Sequence, residues 1–308
     1  MSPRAPVRWA APLLVGAVLL AASLSGAQER PPDEYRLRVD VRRVVVPASV
    51  STPDGRPVTT LERDAFEIYE DGQRRPLKLF KRSTDLPLQL VLLLDASLSA
   101  AIELEREKES MARFIGRVLR PQDAATLYEF SGGVKPLAEF TGDPKKLAVS
   151  LKKIRASAGT ALYDAVVDAS AKLREREGRR VIVLITDGND TTSKRDFHDA
   201  LRAAQEAEVT IFALVTRPIQ GESGRSVRGE HVLIQFGDLT GGQVFFPSDV
   251  SQLDRFFDEL SELLRTQYLL AYEPAPAGPQ AEFREIEVRV IGGDYIVHFR
   301  KGYFAGAQ

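Results

Sequence analysis

Residues 91–100 read VLLLDASLSA. A continuous apolar run ends at Asp95, and Ser97 and Ser99 follow at alternate positions. An apolar run without polar alternation predicts a strand that is covered on both faces. The oxygen-bearing residues behind it have two interpretations: they cap the next helix, or they bind a metal ion.

The composition of the 308-residue chain excludes several kinds of function. The chain contains no cysteine, which excludes disulfides, zinc–thiolate sites and thiol catalysis. Its formal net charge of −1 provides no strong attraction to nucleic acid, so we expect no such partner. The three histidines, His198, His231 and His298, lie far apart in the sequence. This arrangement disfavours Ser97 as the nucleophile of a catalytic triad.

The N-terminal segment is typical of an export signal. Arg4 and Arg8 form a positively charged start before an uncharged apolar segment, residues 9–24, and small residues follow at 25–27. We therefore predict a signal peptide over 1–27 and a polar linker over 28–34. An exported chain without cysteine fits a bacterial envelope, in a periplasmic or extracellular location. An uncleaved N-terminal anchor is the alternative, and only in that case do we expect contact with a membrane.

Apolar strands alternate with amphipathic helices in the middle of the chain. Apolar runs predict strands at 87–94, 125–130, 179–186, 209–215 and 243–247, and helical periodicity predicts helices at 100–119, 144–154, 161–177, 194–207 and 250–267. Residues 217–230 read as a loop. The alternation predicts an α/β fold over residues 86–267, with a Rossmann-like, doubly wound and mostly parallel sheet.

Segments with β-type alternation flank this region on both sides. Residues 35–85 contain a strand and a hairpin around Asp71-Gly72, and residues 268–308 contain further strands with a hairpin turn at Gly292-Gly293. Neither segment has enough strands to close a core alone. We therefore expect the N- and C-terminal segments to pair into one small β module.

Three predicted junctions between a strand and a helix carry oxygen ligands. The first is Asp95-Ala96-Ser97-Leu98-Ser99, the second contains Thr160, and the third begins with Asp187. The carboxyl ends of parallel strands open on one edge of a sheet, where ligands bind. Carboxylate and hydroxyl oxygens suit Mg²⁺, so a metal site is favoured over helix capping alone. For Asp164 and Asp190, two interpretations stay open: each acts in the outer shell of the metal, or it only forms hydrogen bonds within the local structure.

These residues resemble the metal-ion-dependent adhesion site of the von Willebrand factor A-like domain family. The family pattern is Asp-x-Ser-x-Ser, then a distant Thr, then Asp followed by Gly, and all five ligand positions match here. Leu98 departs from the glycine that many members have. The motifs FEIYEDG (66–72) and KGYF (301–304) also resemble an exported bacterial subgroup of the family. The resemblance implies a Rossmann-like domain and a divalent cation, Mg²⁺ with Mn²⁺ or Ca²⁺ as alternatives. The implied ligands are Asp95, Ser97, Ser99, Thr160 and Asp187.

The resemblance also implies a function. It indicates an exported, non-enzymatic adhesion-type module whose cation engages an Asp or Glu carboxylate of a partner protein. The alternative is a Mg²⁺-dependent hydrolase of phosphate or sulfate esters, for which Asp190 is the only obvious candidate base. A third possibility is that the flanking β module binds the partner and the α/β domain is a scaffold.

Overall fold

The computed structural model describes residues 43–82, 86–98, 100–101, 103–215, 227–278, 280 and 282–306. The predicted signal peptide, the linker, residues 35–42 of the N-terminal β segment and Ser99 lie outside the described residues. Among the helices of the described ranges, none has the length and apolar character needed to cross a membrane. The predicted domain boundaries stay predictions.

The described residues alternate between strands and helices along the chain. The strands are β1 (Val44–Ser51), β2 (Phe66–Glu70), β3 (Gln73–Arg75), β4 (Leu77–Arg82), β5 (Leu88–Asp95), β6 (Ala124–Phe130), β7 (Val134–Pro136), β8 (Arg179–Thr186), β9 (Thr210–Val215), β10 (Val244–Phe245), β11 (Tyr268–Tyr272), β12 (Glu282–Val290), β13 (Ile296–Phe299) and β14 (Gly302–Ala305). The helices are α1 (Leu104–Val118), α2 (Pro144–Leu151), α3 (Leu162–Arg174), α4 (Phe197–Glu206), α5 (Val227–Thr240) and α6 (Leu253–Thr266).

A six-stranded, mostly parallel sheet forms the α/β region, in the order β10-β9-β8-β5-β6-β7. Side chains of β5 alternate between two apolar cores. Leu90, Leu92 and Leu94 pack with α1, α2 and α6, whereas Val91 and Leu93 pack with α3, α4 and α5. Both faces of β5 are thus covered by helices, which is why its sequence is apolar without alternation. The predicted doubly wound α/β fold is confirmed.

The strand order reverses beside β5. The chain first places β6 on one side of β5 and later returns to place β8 on the other side, parallel to it. The register pairs Leu94 with Ile185, so Asp95 and Thr186 follow at the same edge. In open parallel sheets this reversal point is where ligands bind.

The two flanking segments pair with each other, as predicted. They form two antiparallel sheets, β13-β1-β11-β4 and β14-β12-β2-β3, and each sheet contains strands from both segments. The hairpin around Asp71-Gly72 is confirmed by the pairing of β2 with β3. The predicted hairpin at Gly292-Gly293 is wrong, because β12 pairs with β2 and β14 whereas β13 pairs with β1. Alternation specifies which face of a strand is apolar, but it does not specify the neighbouring strand.

One buried carboxylate links the two flanking motifs. Glu70 of FEIYEDG is fully buried and accepts hydrogen bonds from Arg284 Nη1 at 3.1 Å, Tyr303 Oη at 3.0 Å and the Ala275 amide at 2.9 Å. Tyr303 belongs to the second motif, KGYF. The motifs at the two ends of the chain therefore meet at one polar cluster inside the β module.

Two helices differ from the sequence-based prediction. Helix α5 occupies residues of the predicted loop 217–230 and continues to Thr240. Gly229 and Gly237 lie within it, and glycine has a low helix propensity, so its sequence signal is weak. Residues 216–226 of that loop lie outside the described residues. Helix α1 begins at Leu104 instead of residue 100.

Candidate metal site

Asp95 ends β5 with its carboxylate buried at the edge of the sheet. The residue is 1% exposed. Its Oδ1 accepts a hydrogen bond from the Ser97 amide at 2.9 Å, and its Oδ2 accepts one from the Thr186 hydroxyl at 2.7 Å. Within the described ranges, no lysine or arginine forms an ion pair with Asp95. The carboxylate is therefore held by hydrogen bonds but is not neutralised by a basic side chain.

The electrostatic surroundings of Asp95 disfavour its charged form. Burial raises the pKa of Asp95, and the nearby carboxylate of Asp187 raises it further, while hydrogen bonds from Thr186 and Ser97 oppose the rise. The parallel register of β5 and β8 pairs Leu94 with Ile185, so Asp95 and Asp187 lie at neighbouring strand ends. A divalent cation between them would reverse this unfavourable interaction.

Thr160 is brought to the same edge by hydrogen bonds to the loop that follows Asp187. The Thr160 amide donates to Thr191 Oγ1 at 2.9 Å, and the Thr160 carbonyl accepts from the Thr191 and Thr192 amides at 2.9 and 3.2 Å. Thr160 is 5% exposed, and its hydroxyl makes no hydrogen bond to the described residues. That hydroxyl is therefore available as a ligand.

The first and second junctions are also bonded to each other. The Ser157 amide donates to the Ala96 carbonyl at 2.8 Å, and Ser97 and Ser157 form an isolated parallel bridge. Ser97 is buried next to Asp95. Of the five predicted ligands, the structure thus brings together the junctions that carry Asp95, Ser97, Thr160 and Asp187. Ser99, the fifth, lies outside the described residues.

Asp187 follows β8 directly and is 8% exposed. Its Oδ1 accepts a hydrogen bond from the Asn189 amide at 3.0 Å, which closes a tight turn. Within this turn the Gly188 amide donates to Thr186 Oγ1 at 3.1 Å. Thr186 thus contacts both acidic junctions, although nothing in the sequence distinguishes it from other strand residues.

The helix-capping interpretation does not hold for Asp95 and Ser97 of the first junction. The N-cap position of α1 is Glu103, which makes no side-chain capping bond. A capping side chain bonds to amides in the first turn of its helix. Asp95 and Ser97 lie too early in the chain for that, and Asp95 accepts from Ser97 instead.

Asp164 and Asp190 make local structural bonds. Asp164 accepts hydrogen bonds from the amides of Lys194 and Arg195 at 3.1 and 3.2 Å. Asp190 accepts from the Tyr163 amide at the start of α3 and from the amide and hydroxyl of Ser193. These contacts support the local interpretation of both residues.

The donors at this edge suit a hard divalent cation. The described part of the chain contains no group of three or more His, Cys, Asp or Glu side chains that could hold a metal ion by themselves. The available donors are two carboxylates and hydroxyls, the oxygen ligands that Mg²⁺ or Mn²⁺ accepts and that soft metals do not prefer. The residues present therefore fit the metal that the sequence resemblance implies.

Comparison with known families agrees with this arrangement. Residues 90–189 match the family model of the von Willebrand factor type A domain, and this range spans all five predicted ligand positions. The chain contains a von Willebrand factor type A domain. Such domains commonly mediate protein–protein interactions.

Solved structures share the fold of this type A domain at low sequence identity. A von Willebrand factor type A protein from Catenulispora acidiphila has a TM-score of 0.53 and 12% identity, over 78% of this chain and 74% of its own. Proximal thread matrix protein 1 from the mussel byssus has a TM-score of 0.50 and 14% identity, over 64% of this chain and 50% of its own. A search of curated proteins found no match. At these identities the similarity shows the fold alone.

The turn after Asp187 in the type A domain requires glycine. Gly188 has φ +80°, and a Cβ atom there would lie 2.3 Å from the Gly229 carbonyl oxygen. Gly188→Ala is therefore expected to destabilise the protein by roughly 2–3 kcal/mol, measured by urea unfolding. Gly72→Ala is the matched control, since Gly72 has φ +74° and open space around it. Equal losses in the two variants would contradict the close packing of α5 on this turn.

The raised pKa of Asp95 predicts a dependence of stability on pH. A carboxyl whose pKa is higher in the folded than in the unfolded state takes up protons on folding, so it stabilises the fold as pH falls. Without divalent cations, lowering the pH from 7 toward the folded-state pKa of Asp95 should favour the wild type over Asp95→Asn, which lacks this group. Urea unfolding of both proteins across that range measures the difference. A difference that stays constant with pH would contradict the raised pKa.

Proposed function

We propose that this protein is an exported binding module that engages an acidic residue of a partner protein through a divalent cation. One observation carries the proposal: the junctions of Asp95, Thr160 and Asp187 converge at the point where the sheet order reverses, and Asp95 is buried there with no basic partner among the residues that the structure describes. We propose Mg²⁺ as the cation, which Mn²⁺ or Ca²⁺ could replace. Export rests on the sequence of residues 1–27.

The proposed ligands divide into two chemical kinds. Asp95 and Asp187 are carboxylates, whereas Ser97, Ser99 and Thr160 are neutral hydroxyls. A bound divalent cation would supply a positive charge that a carboxylate of the partner can contact. Because hydroxyls add no negative charge to the site, an incoming Asp or Glu side chain is a favourable additional ligand.

Leu98 provides an apolar contact beside the proposed cation. It follows Ser97 and is 62% exposed, so its apolar side chain is accessible to a partner beside the candidate site. We propose that the partner presents an apolar residue near its acidic side chain.

The hydrolase hypothesis has weaker support from the geometry. A general base needs an oxygen that can accept a proton from water. Asp190, the candidate base, already accepts hydrogen bonds from Tyr163 and Ser193. These bonds fix its carboxylate as a structural group, so we propose that the protein is not an enzyme.

A capture experiment tests the proposed function. Envelope proteins are passed over immobilised wild-type protein in Mg²⁺, and bound proteins are eluted with EDTA. We expect a protein that elutes from the wild type and from Asp164→Asn, but not from Asp95→Ala. Asp164→Asn is the matched control because its carboxylate bonds to loop amides near the site. Retention of the same proteins by the wild type and by both variants, with or without EDTA, would contradict the proposal.

A further inference from the structure

Thr186 occupies a central position between the two acidic junctions. It is the last residue of β8 and is fully buried. Its hydroxyl lies 2.7 Å from Asp95 Oδ2 and 3.1 Å from the Gly188 amide nitrogen. One side chain thus contacts the carboxylate at the end of β5 and the turn that holds Asp187.

The direction of both hydrogen bonds is fixed by chemistry. A backbone amide can only donate, so the Thr186 oxygen accepts from Gly188. A hydroxyl has one proton, and the ionised carboxylate of Asp95 can only accept it. Thr186 therefore donates to Asp95 while it accepts from Gly188, and reversing either bond would leave a buried group unpaired.

These bonds restrict the orientation of the Asp95 carboxylate. Thr186 donates to Oδ2 at 2.7 Å and the Ser97 amide donates to Oδ1 at 2.9 Å, so both oxygens are held by protein donors. The Ser97 side chain also forms a hydrogen bond to this carboxylate. Thr186 thereby fixes the direction in which the carboxylate faces.

We infer that Thr186 is a positioning residue that aligns the Asp95 carboxylate with the Asp187 turn for cation binding. The inference rests on the proposed function, since it requires that the site binds a divalent cation. Thr186 is not among the proposed ligands, and its hydroxyl acts by donating to Asp95 and accepting from the Gly188 amide. Groups that orient a metal ligand are typically worth roughly 10–100-fold in metal affinity.

Titration of the purified full chain with Mn²⁺ alone tests the inference. Thr186→Val removes the hydroxyl and keeps the shape of the side chain, whereas Thr186→Ser keeps the hydroxyl and loses a methyl group. We expect the Kd of the valine variant to rise roughly 10–100-fold and that of the serine variant to stay within about threefold of the wild type. The affinity for Mn²⁺ should thus depend on the presence of the hydroxyl group and not on the volume of the side chain.

The stability of each variant in EDTA separates positioning from a general structural role. A purely structural role would lower the melting temperature of Thr186→Val and leave its Kd for Mn²⁺ unchanged, which would overturn the inference. If the valine variant does not fold, Thr186→Ala is compared with Thr186→Ser in the same way. If the wild type binds no Mn²⁺, both the inference and the proposed function are overturned. If the wild type binds and the valine variant binds equally well, only the inference is overturned.

Discussion

Replacing Asp95 with alanine is expected to weaken the binding of Mg²⁺ or Mn²⁺ by roughly 100-fold or more. The expected loss exceeds that for a group that only orients a ligand, which is roughly 10–100-fold. Asp95 is 1% exposed, and both of its oxygens are oriented by hydrogen bonds. Its removal would take a negative charge from a buried site where Asp187 alone cannot balance a divalent cation. Calorimetric titration of the purified chain measures the effect.

Two controls make the result of the Asp95 substitution specific. Asp164→Asn alters a neighbouring carboxylate that bonds to the loop amides of Lys194 and Arg195, so its affinity for the cation should stay close to that of the wild type. Asp95→Asn keeps the shape of the side chain and removes its charge, so it should bind almost as weakly as Asp95→Ala. If both Asp95 variants bound the cation as tightly as the wild type does, the cation would not bind at Asp95.

Replacing Glu70 with alanine is expected to lower the free energy of unfolding by roughly 3–5 kcal/mol. Burial alone would raise the pKa of Glu70, but hydrogen bonds from the Ala275 amide and Tyr303, together with the charge of Arg284, lower it overall. The carboxylate therefore stays charged and is paired inside the β module. Its removal would leave the guanidinium of Arg284, which is 5% exposed, without its buried counter-charge. Urea unfolding near neutral pH measures the loss.

An exposed ion pair in the same module is the control for Glu70. Glu287 pairs with Arg289 at 2.7 Å, and about half of each side chain is exposed, 48% and 54%. Glu287→Ala should cost less than about 1 kcal/mol, because solvent screens such pairs. Equal losses for Glu70→Ala and Glu287→Ala would show that the buried cluster does not hold the two flanking segments together.

The candidate site could be predicted because its residues fall at the ends of apolar strands. Asp95 and Asp187 each follow a strand without polar alternation, and parallel strands place their carboxyl ends on one edge. The role of Thr186 could not be predicted in this way. A threonine at the end of an apolar strand is typical of any sheet, and its two hydrogen bonds depend on the register between β5 and β8.

The flanking module could be predicted less completely. Its strands and their need for partners follow from the alternation of apolar and polar residues. The division into two sheets depends on a change of partner between β13 and β14, around Arg300 and Lys301. The sequence there continues without a turn signal, so it favours a single strand. Helix α5 could not be predicted from the sequence pattern, because Gly229 and Gly237 weaken its helical signal.

A crystal structure of the full chain grown in MnCl₂, with anomalous diffraction data, locates the proposed cation. We expect an anomalous peak at the carboxyl edge of β5 and β8, within roughly 2.0–2.6 Å of the hydroxyls of Ser97 and Thr160. We also expect the peak to lie beside the carboxylates of Asp95 and Asp187. A fully occupied Mn²⁺ at another place in the protein, with none at this edge, would show that the cation does not bind at the proposed site.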